Sequence, residues 1–143
     1  MVTIVYSSTE DLITKAVVDA VVIKDAEYTV FELTDALGKK DGDRAMKLLS
    51  LMEKEQGVLS LISNHFRRLF FIGISDMTNA ELASYLGVKE YAVVKARGQI
   101  KEFSKNQLRK INQLLEEIDY SIKSGAMQAT NALYYLVFNI LYI

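Results

Sequence analysis

His65 is the only histidine available for acid–base or metal chemistry, and the chain contains no cysteine. Thiolate metal sites, disulfides and cysteine nucleophiles are therefore excluded. On a helix through Gln56 to Ser75, no acid lies three or four positions from His65. That spacing is what would place two metal ligands on one helical face. The plainer reading is an imidazole at the edge of a helical bundle, hydrogen-bonded to a carbonyl or water. Glu116, Glu117 and Asp119 form an acidic cluster, but at helical spacing they point to different sides. Asp119 faces Lys123 at i+4, which suits a solvated ion pair rather than catalysis. Gly38-Lys39-Lys40 lacks the spaced first glycine and the hydroxyl of a phosphate-binding loop. No catalytic residue, cofactor or metal is expected.

One local pattern raises nucleic-acid chemistry. Ala80 to Lys95 (AELASYLGVKEYAVVK) reads as helix, glycine turn and second helix, with Ala83, Gly87 and Val93 at helix-turn-helix spacing. A small DNA-binding regulator is thus a rival reading, with Lys89, Lys95 and Arg97 as its contacts. The second helix is only weakly basic, and such corners also serve as packing units. Lys plus Arg total 17 against 18 for Asp plus Glu, a formal net charge of -1. A dedicated nucleic-acid binder usually carries a basic surplus.

These residues must be held by helices. Proline is absent, and the seven glycines stand mostly where a helical pattern ends. At 143 residues, half of them apolar, the chain can bury a sizeable core. QGVLSLISNHFRRLFFIGIS at Gln56 to Ser75 is apolar round most of a helix, so neighbours must wrap it on several sides. The expected fold is all-α, a compact bundle of about seven to eight helices around this hub. The longest apolar run, Ala132 to Ile143, is too short for a bilayer span of about 20 residues. No signal-peptide pattern opens the chain, and a cytoplasmic location without membrane contact is expected.

In chain order, Met1 to Tyr6 has strand propensity, and Ser7-x-x-Glu10 reads as a capping box opening a helix over about Thr9 to Val22. A short helix at Tyr28 to Leu37 stops at Gly38. Asp41 caps the next, which buries Ala45, Leu48, Leu49 and Met52. Beyond the hub, Thr78-x-x-Glu81 caps a short helix closed by Gly87, and another spans Lys89 to Phe103. Ser104-x-x-Gln107 then opens a strongly amphipathic helix with Leu108, Ile111, Leu115, Ile118 and Ile122 inward. After Gly125 a last helix, Ala126 to Tyr142, is apolar on most faces.

Several phrases together resemble the C-terminal domain of the bacterial DNA polymerase III delta subunit of the clamp loader. They are VFELTDAL at Val30 to Leu37, AMKLLSLME at Ala45 to Glu53, ISNHFRRLFF in the hub and LGVKEYAVVK at Leu86 to Lys95. The most distinctive is EFSKNQLRKINQLLEEIDYSIKSG at Glu102 to Gly125. Their order and spacing carry the resemblance over roughly Val30 to Leu141. Two departures stand out: Gly57-Val58 has no proline at the hub start, and Glu90 replaces a frequent proline before Tyr91.

The resemblance implies a non-catalytic collar domain at 26–143, packing against equivalent domains of other clamp-loader subunits (delta prime, gamma/tau). Residues 1–25 then look like the tail of an AAA+ lid domain. The sliding clamp would be met by an N-terminal module outside this sequence, and any role on DNA is indirect. The last helix has more aromatic surface than one core can take. Tyr134, Tyr135, Phe138 and Tyr142 are accordingly the candidate intersubunit face. Tyr134 and Tyr135 are the tyrosines expected to be partly exposed.

Overall fold

A computed structural model describes residues 26–54 and 57–143. Among the described residues every regular element is an α-helix. The seven are α1 (26–38), α2 (Gly42–Met52), α3 (Val58–Ile74), α4 (Asn79–Leu86), α5 (Glu90–Ile100), α6 (Lys105–Lys123) and α7 (Ala129–Leu141). The stretch of strand propensity at Met1 to Tyr6, the helix expected at Thr9 to Val22 and the lid-domain tail at 1–25 lie outside the described residues.

α3 is the hub. Val58, Ile62, Phe66, Leu69 and Ile72 are all but sealed from solvent, and their three- and four-residue steps form one inward stripe. Leu59, Leu61, Phe70 and Phe71 flank it, partly buried. α5, α6 and α7 pack on this helix, which is why a merely one-sided apolar face would not suffice. The wrapping is incomplete at the C-terminal end, where Ile74 is 57% exposed. Phe66 is fully buried and meets the Phe103 ring edge-on at 5.9 Å. α6 supplies Leu108, Ile111, Leu114, Leu115 and Ile118, and α7 covers the hub and α6 with Ala132, Leu133, Leu136, Val137 and Ile140.

Local chemistry sets the helix ends. Asp41 accepts from the Arg44 amide at the start of α2. Thr78 with Glu81, and Ser104 with Gln107, form reciprocal capping boxes, each satisfying two orphan amides. Gly87 closes α4 at φ 70°, a left-handed turn that a Cβ disfavours.

Several boundaries differ from the sequence expectation. α1 runs through Gly38 instead of stopping before it. α5 ends at Ile100, because Phe103 turns inward onto Phe66 and Ser104 takes an extended conformation to cap α6. α7 starts at Ala129 rather than Ala126, since the Ala126 and Met127 amides fold back onto the Ser121 carbonyl. Leu48 and Ile122, expected inside, are only partly buried.

Candidate interaction surfaces

α7 has two faces of different character. One is the buried stripe against α2, α3 and α6. The other carries Tyr135, Phe138 and Tyr142, which are 44%, 46% and 87% exposed. Steps of three and then four residues put these rings on one line, with Tyr142 as the residue that caps the helix end. Asn139 Nδ2 donates to the Tyr135 carbonyl at 2.7 Å, an intrahelical bond beneath the aromatic line. Tyr134 does not belong to this face. It is half-buried, and its hydroxyl donates to the Glu53 carboxylate just past α2. That bond, together with burial and the Glu53 charge, raises the Tyr134 hydroxyl above the usual 10.0.

The end of α7 is held from across the bundle. Lys40 sits at φ 60°, a left-handed position uncommon for a residue with a Cβ. From there Lys40 Nζ donates to the Ile140 carbonyl at 2.7 Å and the Ile143 carbonyl at 3.0 Å. A cation on the last carbonyls also complements the negative end of the helix dipole. This cap fixes the turn that bears Tyr142, and nothing in the periodicity around Lys40 announces it.

The α4–α5 corner forms as expected, with Leu82, Ala83, Val93 and Ala96 buried. The three cations assigned to it do not share a face. Lys89 is the exposed N-cap of α5. Lys95 lies 5.6 Å over the Phe31 ring. Arg97 is engaged by Asn79 Oδ1 at 2.5 Å and the Met77 carbonyl at 3.0 Å, so it anchors the start of α4. The corner instead exposes apolar side chains: Tyr85, Tyr91 and Val94, with Ile74 at the end of α3. Tyr85 stacks on Phe71 with ring centroids 5.4 Å apart.

Between α1, α3 and α5 runs a groove of about 500 Å³ lined by Tyr28, Phe31, His65, Arg68, Tyr91 and Lys95 among others. Beneath it His65 Nε2 meets Gln99 Oε1 at 2.6 Å, while Gln99 Nε2 donates to the Phe31 carbonyl at 2.9 Å. The amide is oriented by that second bond, so Oε1 faces the imidazole and His65 Nε2 must be the donor. Burial first, then the Arg68 charge, hold His65 below the usual 6.5, with the Gln99 bond opposing them. The partner of the histidine is thus a side-chain amide from another helix, where spacing alone suggests a carbonyl or water.

Asp119 and Lys123 form the expected pair at 2.9 Å, and Glu116 and Glu117 are exposed. No group of three or more His, Cys, Asp or Glu that could hold a metal occurs among the described residues. No helix among them is long and apolar enough to cross a membrane.

The bundle leaves a line of aromatic rings in solvent on its last helix. The chain belongs to the C-terminal domain family of the DNA polymerase III delta subunit, whose model matches residues 27–140. It is 28% identical over 115 residues to DNA polymerase III subunit delta of Bacillus subtilis (strain 168), covering 76% of this chain and 33% of that one. Among solved structures it is similar to the Bacillus subtilis DNA clamp loader delta protein (YqeN), with a TM-score of 0.72 and 25% identity. That match covers 82% of this chain and 37% of the other. The chain therefore spans about a third of the length of these relatives. It is the non-catalytic collar domain of a clamp-loader subunit family.

Proposed function

We propose that this domain holds a replication clamp loader together by packing the outer face of α7 against the collar domains of its sibling subunits, delta prime and gamma/tau. The observation that carries this is the line of Tyr135, Phe138 and Tyr142, three large rings left in solvent on one helical face. Burying large rings contributes strongly to association, and aromatic residues are enriched in interface cores. Family membership supports the same reading. On it, the loader places the sliding clamp on DNA during replication, and the clamp is met by an N-terminal module outside this sequence. DNA is served indirectly, in the cytoplasm. The test is co-sedimentation of the chain with delta prime and gamma/tau. A shared boundary supports the assembly role, whereas independent sedimentation of every component at micromolar concentration removes it.

A further inference from the structure

Asp35 and Glu102 bring two carboxyls together where α1 ends against the turn joining α5 to α6. Gly38 permits the approach. A Cβ there would lie 2.7 Å from Glu102 Oε2, 2.9 Å from Glu102 Cβ and 3.1 Å from Phe103 Cε2. Glu102 Oε2 is sealed from solvent and accepts no hydrogen bond among the described residues. Its neighbours are specific. Asp35, on α1, lies against the same Lys39 ammonium as the Glu102 carboxyl. Lys39 Nζ is 3.0 Å from Asp35 Oδ2 but 3.8 Å from Glu102 Oε1, too far for a hydrogen bond to the latter. Arg44, from α2, donates to Asp35 at 3.3 Å and to Glu32 at 3.2 Å. The cations thus bond Asp35 and, among the described residues, leave Glu102 Oε2 without a donor.

Ionised carboxylates are acceptors only, so two of them side by side repel and cannot bond. One proton on the pair converts the repulsion into a charge-assisted O–H···O⁻ bond. We propose that Glu102 carries this proton on Oε2 and donates it to ionised Asp35, making an acid-closed latch that holds the end of α1 on the α5–α6 turn. When the proton leaves, the Glu102 carboxylate is repelled by Asp35 and turns toward Lys39, the nearest cation. The electrostatics agree with the geometry. Burial first, then the bond with Asp35 and its charge, raise Glu102 above the usual 4.5, against Lys39 and Arg44. For Asp35, burial works upward, but bonds from Lys39, Glu102 and Arg44 outweigh it and hold the group below 3.8.

The signs fix the pH window. A raised Glu102 stabilises the fold below its unfolded value of 4.5 and loses that contribution as pH rises through the folded value. A lowered Asp35 stabilises above 3.8 and loses its contribution as pH falls through the folded value. The latch is therefore closed in mild acid and opens toward neutrality. Carbon-detected NMR titration of the carboxyls in the 143-residue chain tests it, with thermal melts of Glu102→Gln alongside. The expected Glu102 midpoint lies above 4.5 and falls in Asp35→Asn. E102Q keeps a donor toward Asp35 at every pH, so it melts above the parent at pH 7.5 and the gap closes toward pH 4.5. A parent Glu102 midpoint at or below 4.5 overturns the proposal. So does a midpoint that D35N leaves in place, or a melting gap of equal size at both pH values. The parent titration stands even if a variant fails to fold.

Discussion

Gln99→Met tests whether the amide clamp under the groove sets the stability of the α1–α3–α5 junction. Gln99 is 4% exposed, and Met fills a similar volume with apolar atoms, so packing is nearly conserved. What disappears is the acceptor of His65 Nε2–H at 2.6 Å and the donor to the Phe31 carbonyl at 2.9 Å. Each bond contributes about 1 kcal/mol net, and a buried donor left unsatisfied costs about 1–3 kcal/mol. The expected loss is about 2–3 kcal/mol. For a domain of this size that lowers Tm by roughly 8–12 °C. The assay is thermal unfolding followed by circular dichroism at pH 7.5. Because His65 is held below 6.5, its contribution is present above that value and lost as pH falls through the folded value. The parent should therefore lose stability between pH 7.5 and 5.5, and His65→Gln should remove that part of the slope. A Q99M melt within about 2 °C of the parent would refute the clamp.

Two further substitutions probe the ends of α1 and α7. Gly38→Ala gains about 1 kcal/mol of helix propensity, but its Cβ would meet Glu102 Cβ at 2.9 Å and Phe103 Cε2 at 3.1 Å. Such overpacking costs about 1–3 kcal/mol, so chemical denaturation should show a net loss of about 1 kcal/mol; a gain would mean the turn yields freely. Lys40→Met keeps the aliphatic stem and removes both bonds to the last carbonyls of α7. A loss of about 1 kcal/mol is expected, with faster amide exchange confined to the final turn of α7; unchanged exchange there would show that the cap is idle.

The features legible in the sequence are those that local chemistry controls. Thr78-x-x-Glu81 and Ser104-x-x-Gln107 bond within one turn, so their boxes can be read from spacing and form as written. The stripe of α6 is equally plain, because Leu108, Ile111, Leu115 and Ile118 repeat on one face and are buried. Contacts across the bundle leave no such trace. Neither the Gln99 bridge from His65 to Phe31 nor the reach of Lys40 to Ile140 follows from spacing, since the partners are 34, 68 and 100 positions apart.

The aromatic face is legible only in part. Tyr135, Phe138 and Tyr142 share a line, while Tyr134 turns aside to Glu53. Sequence misjudges the tyrosines as a class: Tyr28, Tyr85, Tyr91 and Tyr120 are each more exposed than Tyr135. A phenol is apolar in body and polar at its tip, so composition alone does not say which side of the surface it takes. The cations of the α4–α5 corner are dispersed for a related reason. Proximity in sequence puts Lys89, Lys95 and Arg97 in one group, yet Lys95 turns to Phe31 and Arg97 to Asn79.

The assembly role meets its sharpest test in isothermal titration of the chain into the assembled sibling subunits, with a Tyr135→Ala, Phe138→Ala, Tyr142→Ala triple variant beside the parent. All three rings are already 44% or more in solvent, so the variant should fold with nearly the parent Tm. Central aromatic anchors each contribute on the order of 2 kcal/mol at an interface, which predicts a loss of about 100-fold or more in affinity. Equal binding by a folded triple variant would overturn that role for α7, because the siblings would then be gripping some other part of the bundle.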